Sequence, residues 1–100
     1  RDWMAKGYWV VNLDVTDSET YKQYQAFVGP FLAGAGGRFI VRGGERLPKE
    51  GNVRTRTVIV EFSGFAQARA AYESEAYQTG MQQRLAASVA DFVIVEGFDG

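Results

Sequence analysis

The sequence predicts an α+β domain in which helices cover one face of a four-stranded antiparallel sheet. Four segments alternate between apolar and polar residues, which is the pattern of half-buried strands. Two longer segments, after the first and third strands, carry apolar residues at three- and four-residue spacing, as amphipathic helices do. The order β-α-β-β-α-β therefore contains the same strand–helix–strand unit twice.

The first unit begins with a strand from Tyr8 to Val15, whose odd-numbered residues are predicted to form one apolar face. The segment Thr16 to Glu19 has the spacing of a capping box, in which Thr16 would cap a helix running from Ser18 to about Ala35. Gly29-Pro30 predicts a kink or a break in this helix. The glycines at positions 34, 36 and 37 predict its end.

The second strand, Arg38 to Arg42, is bounded by glycine pairs. Residues two apart share a strand face, so Arg38 and Arg42 are predicted to point the same way. Two guanidinium groups on one face indicate an anion or carboxylate site, for which Arg42 is the stronger candidate. The alternative is a structural role on an edge strand, or in ion pairs with Glu61 or Asp14. Since Phe39 stands where a dinucleotide-binding loop has its third glycine, no phosphate loop is expected here.

The second unit follows a polar, turn-rich segment from Gly43 to Asn52. Its first strand is predicted from Arg54 to Phe62, and Ser63 is placed to cap the helix after it. Ser74 can cap a continuation of that helix, and the last strand is predicted from Phe92 to Phe98. Split βαβ units of this kind form the ferredoxin-like arrangement, with both helices on one face of the sheet.

Length and composition define one domain and exclude several kinds of chemistry. One hundred residues, 46% of them hydrophobic, suffice for a single packed core, which we assign to residues 5–98. Residues 1–4 are interpreted as an expression remnant or a disordered extension. Without cysteine or histidine, disulfides, thiol nucleophiles, the Ser-His-Asp triad and histidine- or thiolate-based metal sites are excluded. We expect no metal and no cofactor.

Charge and hydropathy limit the partners. Eleven basic and twelve acidic residues give a net charge of -1, so no nucleic-acid partner is expected. RNA-recognition motifs share this element order, but the third strand here has no aromatic residue before Phe62 on which bases could stack. No apolar run is long enough to span a membrane, and we expect a cytoplasmic protein with no membrane contact.

The sheet face opposite the helices would be bare in a monomer. The second apolar set of the strands would then form an exposed patch, and such patches usually mark an interface. Pairing two sheets across a twofold axis buries both faces, so we expect a homodimer.

Several side chains are candidates for a functional site. Asp14 and Glu61 lie on strands with apolar neighbours, where a carboxylate is either paired with arginine or held in a pocket as a general base. Four tyrosines could offer hydroxyls to a ligand, although tyrosines at helical spacing are more often core residues: Tyr8, Tyr24, Tyr72 and Tyr77. Arg84 lies on the same helix face as Tyr77 and either points under the helix toward the sheet or extends to solvent.

Six short motifs occur in a recognisable order: Gly7-Tyr8-Trp9, Gly36 to Gly44, Val60-Glu61-Phe62, Tyr72 to Tyr77, Arg84 and Ile94 to Gly97. Over about Ala5 to Phe98, the sequence resembles the bacterial family called domain of unknown function 1330. The resemblance implies the dimeric α+β barrel superfamily, a homodimer, and a small pocket between helices and sheet in each protomer. The residues that match the family pattern are implied to line this pocket: Arg42, Glu61, Tyr72, Ser74, Tyr77 and Arg84.

The resemblance implies no established reaction, and two functions stay open. In the first, a small carboxylate-bearing or phenolic metabolite binds or reacts in the pocket; Arg42 orients the anion and Glu61 or Asp14 handles a proton. In the second, the same residues form a buried ion-pair network in a non-enzymatic homodimer module. Superfamily relatives include cofactor-free monooxygenases, muconolactone isomerases and haem-degrading enzymes, the last of which rely on a histidine that this sequence lacks.

Overall fold

A computed structural model describes residues 5–98, and the expectation for residues 1–4 lies outside this range. Within it, four strands and three helices follow the order β1-α1-β2-β3-α2-α3-β4. Their bounds are β1 Gly7–Val15, α1 Ser18–Ala35, β2 Arg38–Arg42, β3 Arg56–Phe62, α2 Phe65–Glu73, α3 Glu75–Ala87 and β4 Ser88–Glu96. The predicted ferredoxin-like α+β arrangement is confirmed, with the second helical region divided in two.

The strands form one antiparallel sheet in the order β2-β3-β1-β4. β1 is central: its Trp9 is opposite Val60 of β3 and Ile94 of β4. Alternate residues of β1 are buried, from Trp9 through Val11 to Leu13, whereas the residues between them are partly exposed. The helices therefore cover one face of the sheet, called the helix face below, and leave the other, the open face, uncovered.

The core lies between the helices and the helix face. Trp9 is 2% exposed, and its indole Nε1–H donates to the carbonyl of Ala68 in α2 at 2.8 Å. The rings of Phe62, Tyr77 and Phe92 lie 4.9–5.2 Å from the Trp9 ring, centroid to centroid. Because its only polar atom has a partner, the indole can be buried whole. Trp9 is thus buried on the apolar face that was predicted for the odd-numbered residues of the first strand.

The N-terminus of α1 is capped by Asp17, and the prediction of Thr16 as the cap was wrong. The carboxylate of Asp17 accepts the N–H of Thr20 at 3.3 Å and its hydroxyl at 2.8 Å. An aspartate caps at least as well as a threonine, and its charge also interacts favourably with the helix dipole.

The helix α1 runs through Pro30, so of the predicted kink or break the break does not occur. Proline removes one backbone hydrogen bond, but Val28 and Leu32 on either side of it remain buried in the core. The helix ends at Gly36, as predicted, where φ is 83° and glycine avoids the steric cost of the left-handed conformation.

The division between α2 and α3 falls at Ser74, which caps α3 as predicted. Its hydroxyl donates to the carbonyl of Ala71 at 2.8 Å and accepts the N–H of Tyr77 at 3.2 Å. The N-cap of α2 is Gly64, with no side-chain hydrogen bond, so Ser63 was wrongly predicted as the cap.

Four strand boundaries differ from the prediction, two of them slightly: β1 begins at Gly7 rather than Tyr8, and β4 ends at Glu96 rather than Phe98. β3 begins at Arg56 rather than Arg54. The two residues before it bind the Asp14 carboxylate instead of extending the strand, Arg54 through its guanidinium and Thr55 through its N–H. β4 begins at Ser88 rather than Phe92, because α3 leads directly into it. Its pairing with β1 extends to Val15 opposite Ser88.

An irregularity in β2 separates the two arginines that were predicted to share a face. Arg38 is opposite Glu61 and Phe39 is opposite Val60, but the register then shifts, and Val41 rather than residue 40 is opposite Ile59. Such a bulge adds one residue to the strand and reverses the facing of the residues after it. Arg38 consequently lies on the open face and Arg42 on the helix face, and the same-face prediction was wrong.

The open face carries an apolar strip along β4 with polar clusters beside it. Val89, Val93 and Val95 are 49%, 55% and 41% exposed. Among residues 5–98, no helix is long and apolar enough to cross a membrane.

Candidate functional site

A cavity opens between α1, α3 and the helix face of all four strands. It encloses about 470 Å³ of empty space when its mouth is included. The space within it that solvent can enter is smaller and has room for about two water molecules. The lining is mostly apolar and aromatic: Trp9, Val11, Leu13, Tyr21, Tyr24, Gln25, Val28, Leu32, Phe39, Arg42, Arg56, Val58, Val60, Arg84 and Phe92.

The deepest charged group in this cavity is the guanidinium of Arg84. Arg84 is only 4% exposed, because its side chain extends from α3 into the space between the helices and the sheet. The guanidinium carbon lies 5.1 Å from the ring centroid of Phe92 and 6.0 Å from that of Tyr24. No carboxylate among residues 5–98 forms an ion pair with it. Arg84 is therefore a buried cation surrounded by aromatic rings and hydroxyls.

Two tyrosine hydroxyls connect Arg84 to α1. The Nε–H of Arg84 donates to the hydroxyl of Tyr77 at 3.4 Å, and that hydroxyl lies 2.7 Å from the hydroxyl of Tyr24. Burial raises the pKa of Tyr24 far above its usual range, and raises the pKa of Tyr77 although Arg84 opposes it. Both phenols are therefore protonated at neutral pH and act as hydrogen-bonding groups rather than as bases.

Arg56 and Arg42 bring two further guanidinium groups to the lining. Arg56 extends from the start of β3 on the helix face, and its Nε–H is buried without a hydrogen-bond partner among the described residues. Arg42 is more exposed, and its guanidinium carbon lies 4.3 Å from the ring centroid of Phe39. Arg42 is the exposed member of the lining, which places the mouth of the cavity near it.

The two predicted carboxylates do not lie in the cavity. Glu61 points to the open face, where its carboxylate accepts Nε–H of Arg38 at 3.0 Å and the hydroxyl of Tyr8 at 3.3 Å. The hydrogen bond from Arg38 lowers the pKa of Glu61. A carboxylate held ionised on the far side of the sheet cannot serve as a base in the cavity.

Asp14 is likewise held by partners outside the cavity. It accepts the Thr55 N–H at 2.8 Å and Nη1–H of Arg54 at 2.9 Å, and Arg54 also donates to Asp91 at 3.0 Å. The Thr55 hydrogen bond, followed by that of Arg54, lowers the pKa of Asp14. The sequence left two alternatives for these carboxylates, a general base in a pocket or a partner of arginine, and both carboxylates are paired with arginine.

The remaining predicted site residues lie behind the cavity wall. Tyr72 packs between Tyr77 and Phe92, with ring centroids 5.4 and 4.9 Å away, and Ser74 caps α3. Tyr77 is fully buried and reaches the cavity through its hydrogen bond to Tyr24. The structure thus brings Arg42 and Arg84 to one cavity, with Tyr77 supporting it, and sets Asp14, Glu61, Tyr72 and Ser74 apart from the lining.

Sequence reasoning did not consider Arg56 as a site residue, and it considered Tyr24 as one of four tyrosines that could offer a hydroxyl but did not select it. Arg56 falls in the series Arg56, Val58, Val60, so strand alternation alone places its side chain on the helix face among apolar residues. Tyr24 follows Tyr21 by three residues on α1, which favours a core position for both, and its hydroxyl partner lies on another helix. Among residues 5–98, no group of three or more acidic side chains could hold a metal ion.

Several solved structures share this fold. A protein of unknown function from Rhodopseudomonas palustris, RPA0582, superposes with a TM-score of 0.73 at 15% identity, covering 97% of this chain and 85% of that one. The cofactor-independent oxygenase SnoaB from Streptomyces nogalater has a TM-score of 0.62 at 13% identity, covering 95% of both chains. A candidate antibiotic biosynthesis monooxygenase from Nitrosomonas europaea has a TM-score of 0.61 at 18% identity, covering 95% of this chain and 91% of that one.

The TM-scores establish a common fold, and identities this low establish no common activity. No curated protein matches the sequence significantly. The model of one protein family, described as Domain of unknown function (DUF1330), matches residues 6–98. Because that match covers nearly the whole chain, and the sheet order and the helix-covered face agree with the family resemblance, the chain belongs to the DUF1330 family.

Proposed function

We propose that the protein binds a small organic acid in the cavity between helices and sheet, with the anion held at Arg84. The observation that carries this proposal is the burial of Arg84 without a carboxylate partner among the described residues. A buried charge is costly unless it is paired and fully hydrogen-bonded. The anionic group of a ligand would supply the missing partner.

The charge of the lining supports an anion over a neutral or cationic ligand. Arg42, Arg56 and Arg84 are its charged members, and no aspartate or glutamate of the described residues is among the lining side chains. Guanidinium groups bind carboxylates through paired, charge-assisted hydrogen bonds. The Nε–H of Arg56, unpartnered within residues 5–98, offers one more donor for such a group.

The remainder of the lining supports an apolar body on the ligand. Aliphatic and aromatic side chains from β1, β3 and α1 form most of the wall, which is typical of sites that bind small metabolites. A carboxylate or phenolate attached to a hydrocarbon or an aromatic ring would satisfy both parts of the cavity. SnoaB, of similar fold, is a cofactor-independent oxygenase, so oxygenation of a phenolic ligand is a reaction class to test once a ligand is known.

We also propose that the protein is a homodimer joined through the open faces of two sheets. The exposed valines of β4 form an apolar strip, and the Arg38–Glu61 and Arg54–Asp14 pairs beside it satisfy the charges on that face. In this arrangement the open-face ion pairs are structural, as in the second function considered from the sequence. The cavity stays accessible because it lies on the other side of the sheet.

Calorimetric titration with benzoate, phenylacetate and hexanoate, each compared with its matched neutral amide, tests the binding proposal. We expect at least one acid to bind at least tenfold more tightly than its amide. Arg84→Met should weaken that binding about 10- to 150-fold, because a hydrogen bond between charged groups contributes about 1.5–3 kcal/mol. Arg84→Lys keeps the charge but loses the planar guanidinium, so its acid affinity should lie between those of the wild type and Arg84→Met.

The stability of Arg84→Met separates a binding role from a structural one. Burying a charge has a desolvation cost, and an apolar side chain of similar length at position 84 removes that cost. We therefore expect the free energy of unfolding of Arg84→Met in urea to equal or exceed that of the wild type. Preference for no acid over its amide, or unchanged acid affinity in a folded Arg84→Met, would contradict the proposal.

A further inference from the structure

The surroundings of Tyr77 and Tyr24 determine which of them donates the hydrogen bond between their hydroxyls. Each phenol carries one hydrogen, and the 2.7 Å separation of their oxygens means that one of them donates to the other. The oxygen of Tyr77 already accepts Nε–H of Arg84, a group that can only donate. The distance alone does not show which of the two tyrosines is the donor.

Position relative to the cavity decides the direction in favour of Tyr77 as the donor, because both side chains are buried but only Tyr24 lines the cavity. Tyr77 is 0% exposed, and its hydroxyl has no other hydrogen-bond partner among the described residues than Arg84 and Tyr24. If Tyr24 donated, the hydrogen of Tyr77 would be buried without an acceptor, which native proteins avoid. Arg84 therefore donates to Tyr77, and Tyr77 donates to Tyr24.

The remaining hydrogen belongs to Tyr24, whose side chain lines the cavity. We infer that the Tyr24 hydroxyl is a ligand-binding donor that selects a deprotonated carboxylate or phenolate, with Tyr77 as the positioning residue that fixes its direction. This inference rests on the proposed function, since it names the group that meets the anion next to Arg84. It adds a neutral donor from α1 to the guanidinium groups supplied by α3 and the sheet.

A cavity whose deep polar groups all donate discriminates by the protonation state of the ligand. A carboxylate accepts from Arg84 and Tyr24 at the same time, and both of its oxygens can be satisfied. An amide or a protonated acid would place its own N–H or O–H against the Arg84 guanidinium and the Tyr24 O–H, both of which are directed to donate. Of two ligands with the same shape, the one whose polar group has only hydrogen-bond acceptors should therefore bind more tightly.

Tyr24→Phe tests the inference, because it removes the hydroxyl and keeps the ring. With the acid identified in the titrations above, we expect the affinity for the acid to fall about tenfold or more, and the affinity for its amide to change by less than about threefold. Tyr8→Phe, which removes a hydroxyl on the open face, is the matched control and should leave both affinities unchanged. An equal loss for acid and amide in Tyr24→Phe would show a change of cavity shape and overturn the inference.

Tyr77→Phe tests the direction of the hydrogen bonds. The variant should weaken acid binding when Tyr24 is present, and should weaken it less in the Tyr24→Phe background, because the part of its effect that passes through the Tyr24 hydroxyl is then already lost and only the lost contact with Arg84 remains. Additive losses in the double variant would contradict this order.

The outcomes distinguish this inference from the binding proposal on which it rests. If the wild type binds no acid in preference to its amide, both fail. If acid binding depends on Arg84 but is unchanged in Tyr24→Phe, only the inference fails. Should Tyr24→Phe not fold, wild-type protein labelled at tyrosine Cζ provides the test by nuclear magnetic resonance: the acid must shift the Tyr24 signal, and an unmoved signal overturns the inference.

Discussion

Gly43 lies directly against the guanidinium of Arg56, so closely that a β-carbon at position 43 would overlap Nη1 of the arginine. Gly43 also has φ of 69°, in the left-handed region, and its N–H donates to the carbonyl of Thr57 at 2.9 Å. Because Gly43, directly after β2, has no side chain, the Arg56 guanidinium can occupy the space beside it.

We expect Gly43→Ala to weaken both folding and ligand binding. A positive φ is unfavourable for alanine, so the free energy of unfolding should fall by about 1 kcal/mol or more, measured by urea denaturation. Because the added methyl group displaces the Arg56 guanidinium, affinity for an acid should fall as well. Gly44→Ala is the matched control, since its β-carbon would meet open space. Equal behaviour of the two variants would contradict this explanation.

The apolar strip on β4 predicts how the oligomer can be disrupted. Val93 is 55% exposed on the open face, opposite Val10. A charge there would be buried between two sheets, so Val93→Glu should convert a dimer to a monomer in sedimentation equilibrium. Leu85→Glu, at a similarly exposed position on α3, should stay dimeric. A wild-type protein that is monomeric at low micromolar concentration would refute the dimer.

Asp14 should contribute to stability above the acid range and lose this contribution as the pH falls. Its pKa is lower in the folded protein than in the unfolded chain, because Thr55 and Arg54 stabilise the carboxylate. The contribution is complete above the unfolded pKa of about 3.9 and disappears as the pH falls through the lower folded value.

The free energy of unfolding of Asp14→Asn should therefore lie furthest below that of the wild type at neutral pH. The difference should shrink as the pH is lowered through the acid range, as followed by urea denaturation at a series of pH values. Glu45→Gln in the exposed segment after β2 serves as the control. A difference that stays constant with pH would show that Asp14 acts by something other than its charge.

The element order could be read from the sequence because each element carries its own local signal. The alternation in β1 and the cap at Ser74 depend on neighbours in the chain, and both were predicted correctly. The start of β4 could not be seen, because its first residues become a strand only by pairing with the end of β1. Asp17 and Thr16 are neighbours with similar capping ability, which local pattern does not separate.

The candidate site was only partly visible for the same reason. Arg42 and Arg84 were selected as candidate ligand-binding residues, and the structure brings both to one cavity. Arg56 and Tyr24 reach that cavity from two further elements, and their meeting is a property of tertiary packing. The pairing of Glu61 with Arg38 was one of the alternatives considered, and only the side chain positions in the fold select it.

The bulge in β2 has a consequence for how relatives of this protein are compared. It places Arg42, rather than residue 41, on the side of the sheet that faces the cavity. A homologue lacking the extra residue would present the equivalent arginine one position earlier in the chain. An alignment drawn without a gap would match that arginine with Val41 and score the position as variable, although the two guanidinium groups occupy the same place in space. Comparisons across the family should therefore be anchored on strand register, with an insertion allowed at position 40.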